Sequence, residues 1–114
     1  MSIKVVILVV LGVALLFALA RRGGDVDGQQ ARGLVQAGAQ LLDVRTRGEF
    51  AAGHLEGAIN IPVQDLGGRL AELGDKHRGL VVYCRSGHRS GQASKLLKSA
   101  GFSAVHDLGA MTRW

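Results

Sequence analysis

"VVYCRSGHRS", residues 81–90, joins an apolar run to a group of cations around Cys84, the only cysteine in the chain. With Leu80 in front, "LVVYC" is a short apolar segment of the kind that forms a strand buried on both faces. From about Arg89 the apolar residues Ala93, Leu96, Leu97 and Ala100 recur at helical spacing, and Gly101 supplies a C-cap. A strand, a tight polar loop and a helix N-terminus therefore follow one another. Cys84 falls at the carboxyl end of the strand, where sheets of this kind bind ligands.

The same punctuation extends outward in both directions. Upstream, Asp27 and Gln30 form a capping-box pattern that starts a helix running to about Ala37. "LLDV" (41–44) and "AINI" (58–61) read as further short buried strands, and Pro62 suits the first turn of a helix carrying Leu66, Leu70 and Leu73. Gly67 and Gly68 weaken that helix. Downstream, "AVHDL" (104–108) is a last strand. Apolar strands alternating with helices predict an α/β domain with a parallel sheet covered on both faces.

The chain divides into residues 1–22 and a single small domain over 24–114, joined at Gly23 and Gly24. Val5 to Ala20 is a run of sixteen uncharged, almost wholly apolar residues. As a helix it would be roughly 24 Å long, enough to cross a bilayer if Ile3 joins it and Lys4 snorkels. Arg21 and Arg22 follow the run and only Lys4 precedes it, so the positive-inside bias predicts a single-pass membrane anchor with the domain in the cytoplasm. Ala18-Leu19-Ala20 supports the alternative, export with signal cleavage after Ala20. A third reading places the run as a buried helix of the domain.

Composition limits the chemistry. One cysteine permits no internal disulfide, and His77 and His106 have no spaced partner, so no metal site and no cofactor are expected. The net charge of +5 arises from 14 basic and 9 acidic residues scattered over many elements, which favours anionic substrates or a lipid surface. Nucleic acid is not expected, because only four aromatics accompany Trp114 and no basic stripe interleaves with them.

The loop after Cys84 has the makings of an anion cradle. Gly87 removes the Cβ obstacle to a tight curl, successive N–H groups can converge on an anion, and Arg85, Arg89 and the helix dipole favour a nucleophilic thiolate. Otherwise Cys84 merely ends a strand and the arginines are solvated. Four residues separate Cys84 from Arg89, one fewer than between cysteine and arginine in cysteine-dependent phosphatases. That spacing counts against a phosphatase or arsenate-reductase chemistry. It suits attack on sulfur, with a Cys84 persulfide as the intermediate.

Three stretches together resemble the single-domain rhodanese family of thiosulfate-type sulfurtransferases. "QLLDVRTRGEFAAGHLEGAINIP" (40–62) carries D-V-R, the Glu49-Phe50 pair and G-H-x-x-G-A-x-N-I-P. "CRSGHRS" (84–90) fits C-R-x-G-x-R-S, and "GFSAVHDLGAMTRW" (101–114) fits G-F-x-x-V-x-x-L-G-G-x-x-x-W with Ala110 at the second glycine, a departure expected to fall at a turn. The resemblance spans residues 24–114 and implies a five-stranded parallel sheet between helices, here preceded by one hydrophobic N-terminal helix.

It also implies Cys84 as the nucleophile, with Arg85, Ser86, Gly87, His88, Arg89 and Ser90 binding a small anionic sulfur donor such as thiosulfate. Sulfur would then pass to a thiol or to cyanide. With no second cysteine, the acceptor must come from outside, as a small molecule or a partner protein. A membrane-tethered persulfide carrier serving one partner is the alternative. Asp43, Arg45, Glu49 and His54 are expected to shape the fold through buried polar contacts, and Trp114 to pack a helix against the sheet. His88 either lines the pocket mouth or points to water.

Overall fold

The computed structural model describes residues 2–11 and 24–114. Residues 3–11 form a helical stretch, α1. The domain then runs α2 (Gly28–Gln36), β1 (Gln40–Asp43), α3 (Arg47–Ala52), β2 (Ile59–Asn60), α4 (Val63–Leu66), a 3-10 turn (Leu70–Leu73), β3 (Leu80–Cys84), α5 (His88–Ser99), β4 (Val105–Ala110) and a 3-10 turn (Met111–Arg113). All strand pairs are parallel, in the order β2-β1-β3-β4.

Alternation along the strands builds two cores. Leu41, Val81 and Tyr83 face one side with Ala31 of α2, Leu108 and the partly buried Trp114. Leu42, Val82 and Cys84 face the other with Leu66, Ala93, Leu97 and Phe102. Trp114 thus packs α2 against the sheet, as expected from sequence. α2 starts as predicted: Asp27 accepts the Gln30 N–H at 2.8 Å while the Gln30 side chain accepts the Asp27 N–H at 2.9 Å.

Four expectations are corrected. The sheet has four strands among the described residues, not five. Ahead of α2 the chain does run beside β4, but the Asp25 and Val26 N–H groups share one acceptor, the Asp107 carbonyl, and α2 begins at once, leaving no length for a ladder. The helix expected to carry Leu66, Leu70 and Leu73 is broken at Gly67 and Gly68 into α4 and a separate 3-10 turn. Ala110 stands at the entry to the closing 3-10 turn rather than within it: it pairs with Cys84 at the end of β4 with extended backbone (φ −71°, ψ 135°), which needs no glycine and no local adjustment. The positive φ, 85°, belongs to Gly109, beside the irregularity in register at Val82/Tyr83.

The fourth concerns the N-terminus. Ile3, Leu8 and the other large apolar side chains of residues 3–11 are exposed, Ile3 at 76%, so this stretch is not a buried helix of the domain. No described helix is long and apolar enough to cross a membrane. Most of the run from Val5 to Ala20, with Arg21 and Arg22, lies outside the described residues.

Candidate active site

Neighbouring strands β1 and β3 send the chain to opposite edges of the sheet, which opens a crevice beyond their carboxyl ends. Cys84 ends β3 there, fully buried. The chain then curls through Arg85 and Ser86 to Gly87, whose φ of 104° is open to glycine without steric cost. This curl turns the Gly87 N–H onto Cys84 Sγ at 3.0 Å. α5 begins at the next residue, and Gly87 offers it no side-chain cap. The first N–H groups of a helix have no partner within it, so those of α5 bring partial positive charge to the loop.

Ser90 and Gly91 fix the curl from inside. The fully buried Ser90 hydroxyl donates to the Gly87 carbonyl at 3.1 Å, and the Gly91 N–H donates to the same oxygen at 3.1 Å. Arg85, Ser86 and His88 are exposed. Arg89 turns toward α3, where its two terminal nitrogens donate to Glu49 at 2.6 and 3.0 Å. Hydrogen bonding from Arg89, then from the Thr46 backbone N–H, holds the Glu49 carboxyl down at about 2. Glu49 therefore caps α3 together with Thr46 and anchors the loop at once.

A second polar knot supports that wall. Asp43 is buried at the end of β1 and takes Arg45 Nη2 at 2.7 Å, while the same nitrogen reaches the Gly53 carbonyl at 2.7 Å. The Arg45 guanidinium also lies 5.8 Å from the centre of the Tyr83 ring. Tyr83 accepts the Leu55 N–H at 3.1 Å, and burial, with Asp43 close by, pushes its phenol well above the usual range. His54 stacks on Phe50 with ring centres 3.7 Å apart and bonds the Phe50 carbonyl through Nδ1 at 2.9 Å.

Between these walls lies a cavity of about 460 Å³, bordered by Arg45, Glu49, Gly53, His54, Arg85 and Met111. It adjoins the loop through Arg85 and Glu49, while Sγ itself lies beneath the loop. Of the loop residues, Gly87 meets the Cys84 sulfur, Ser90 holds the Gly87 carbonyl, Arg89 is joined to Glu49, and Arg85, Ser86 and His88 lie exposed. Sequence reading did not single out Asn60, Tyr83, Asp107 or Met111. Asn60, the asparagine of the N-I-P motif, ties the carbonyls of Asp43 and Arg45 at 3.0 and 2.9 Å, a contact made across strands.

This arrangement has relatives. The family model for the rhodanese-like domain matches residues 27–114. The thiosulfate sulfurtransferase PspE of Escherichia coli is 36% identical over 78 residues, covering 68% of this chain and 75% of that one. The thiosulfate:glutathione sulfurtransferase of Homo sapiens is 36% identical over 102 residues, covering 75% of this chain and 87% of that one. Among solved structures, the human single-domain sulfurtransferase TSTD1 superposes with a TM-score of 0.72 at 35% identity, covering 78% of this chain and 92% of that one. With a buried loop thiol at the carboxyl end of its central strand and a match over residues 27–114, the chain belongs to the rhodanese-like domain family.

Proposed function

We propose that the domain is a sulfurtransferase that carries sulfur as a persulfide on Cys84. The observation that carries this reading is the Gly87 N–H held on Sγ at 3.0 Å beside the N-terminus of α5, a hydrogen-bond donor aimed at the atom that would carry the persulfide. Relatives named for thiosulfate transfer support it. In the first half-reaction the Cys84 thiolate attacks the outer sulfur of thiosulfate, the donor S–S bond breaks, and sulfite leaves with the bonding pair. In the second, an acceptor thiolate or cyanide attacks the outer persulfide sulfur and returns the Cys84 thiolate. Arg85, exposed at the cavity, meets the anionic donor. Arg89 acts by holding the loop to Glu49, and Ser86 and His88 lie exposed on the loop.

A turnover assay with thiosulfate and either glutathione or cyanide tests the reading. Saturable turnover that Cys84→Ser abolishes supports it. A persulfide that forms but reaches neither small acceptor would make the domain a carrier for a partner protein. Turnover that survives in Cys84→Ser would end it.

We also propose that residues 5–20 hold the domain at a membrane, with the domain on the cytoplasmic side. The exposed apolar side chains of residues 3–11 and the Arg21-Arg22 pair in the sequence favour this. Fractionation of cells with N-terminal sequencing tests it: a soluble product beginning at Arg21 would contradict it.

A further inference from the structure

Along α5 and β4, a second cleft of about 390 Å³, sharing no bordering residue with the 460 Å³ cavity, is bordered by Asp25, Gly91, Ser94, Lys95, Lys98 and Asp107. Its floor is polar where a core would be apolar. Asp107 sits on β4 opposite Val82, with Oδ1 accepting the Gly109 N–H at 2.8 Å. Its other oxygen lies over the first turn of α5, 3.9 Å from where a Cβ on Gly91 would stand. Ser90 and Ser94, one turn apart on α5, are both buried, and the Ser94 hydroxyl has no hydrogen-bond partner among the described residues.

Ser90 is the link between this cleft and the thiol. Ser90 directly precedes Gly91, over which Asp107 Oδ2 stands, and its hydroxyl donates to the Gly87 carbonyl, while Gly87 in turn donates to Sγ. A hydroxyl has one proton to give. It can serve the Gly87 carbonyl or an Asp107 carboxylate, but not both. A protonated Asp107 can instead donate to Ser90 Oγ and leave the bond to Gly87 in place.

We propose that Asp107 is a positioning residue for the cysteine loop, acting through Ser90 on Gly87 and so on the N–H that faces the Cys84 sulfur. The inference rests on the sulfur-transfer reading for its consequence, but its geometry does not. Burial raises the Asp107 carboxyl above its ordinary range, and nearby Asp25 raises it further, while Ser90, the Gly109 N–H and Lys98 pull it back. Lys95 borders the same cleft. The carboxyl therefore changes charge at a higher pH than a free aspartate, in a range separate from Glu49, which is held near 2.

The test follows the Gly87 amide by nitrogen-proton NMR of the full chain across the acid range, with no donor present, so that it is independent of sulfur transfer. The Asp107 carboxyl carbon is followed in the same samples. In the unaltered protein the Gly87 amide should shift with the Asp107 titration. In Ser90→Ala the carboxyl should still titrate while Gly87 ceases to follow it, and in Asp107→Asn that step in the Gly87 curve should vanish. Thiosulfate kcat/KM should fall roughly two- to tenfold in Ser90→Ala, the loss of one neutral hydrogen bond. A Gly87 step that persists in Ser90→Ala or in Asp107→Asn, or that is absent from the unaltered protein, would overturn the proposal. Well-dispersed spectra of both variants show that they fold.

Discussion

Arg89 in the cysteine loop is clamped by Glu49, forty residues earlier, through two hydrogen bonds of 2.6 and 3.0 Å. Both side chains are less than one-third exposed, at 30% and 27%. The loop cation that sequence assigns to the donor is, in the resting domain, a strut between α5 and α3. Glu49→Gln and Arg89→Ala should then lower thiosulfate kcat/KM by similar amounts, roughly ten- to hundredfold for loss of a charge-assisted contact. The double variant should be little worse than either single one. Steady-state kinetics on the three proteins checks this, and additive losses would show that Arg89 acts on the donor directly.

The same pair makes a pH prediction. The Glu49 carboxyl is depressed to about 2 in the folded domain, from an ordinary value of 4.5. A depressed acid contributes stability that is fully present above its unfolded pKa and is lost as pH falls through the folded one. The domain should therefore weaken between about pH 4.5 and 2. Glu49→Gln should lose that share of the acid sensitivity. Urea unfolding at a series of pH values measures it, and parallel curves for the two proteins would contradict it.

Asp43 and Arg45 form a pair that is almost wholly buried, with side-chain exposures of 0% and 7%. Removing one partner leaves an uncompensated charge, and for buried pairs that destabilises by about 3–5 kcal/mol. Arg45→Met should thus unfold at markedly lower denaturant than the parent. A change below about 1 kcal/mol would show the pair to be hydrated and weak.

Gly28 begins α2 against the C-terminal turn. A Cβ there would run into the Arg113 carbonyl oxygen, a contact that only backbone movement can relieve. Gly28→Ala should destabilise the domain by roughly 1–3 kcal/mol, as overpacking does. It should also shift the emission of Trp114, the sole tryptophan, which packs on the α2 side of the sheet. Unchanged fluorescence and unchanged stability would refute the close approach.

Local signals made much of this architecture legible. β3 runs from Leu80 to Cys84 as its apolar segment implies, and the Asp27 capping box starts α2 where its residues place it. What escaped depends on distant partners. Residues 25–26 lie beside β4 yet share a single carbonyl, and no local pattern tells a shared acceptor from a ladder. Gly67 and Gly68 carry the break between α4 and the following turn, against the leucine spacing that suggested one helix. Glu49 was expected to shape the fold through polar contacts, but its partner is fixed by two helices meeting. Asp107 sits within an apolar strand and acquires meaning only when α5 folds over it.

The measurement that tests the account most directly is mass spectrometry of the purified protein after thiosulfate treatment. The protein should gain the mass of one sulfur atom, located on the peptide that contains Cys84, and lose it on addition of cyanide or a thiol. Cys84→Ser should show no gain. An unmodified Cys84 under saturating thiosulfate, or a sulfur adduct that survives in Cys84→Ser, would contradict the persulfide mechanism.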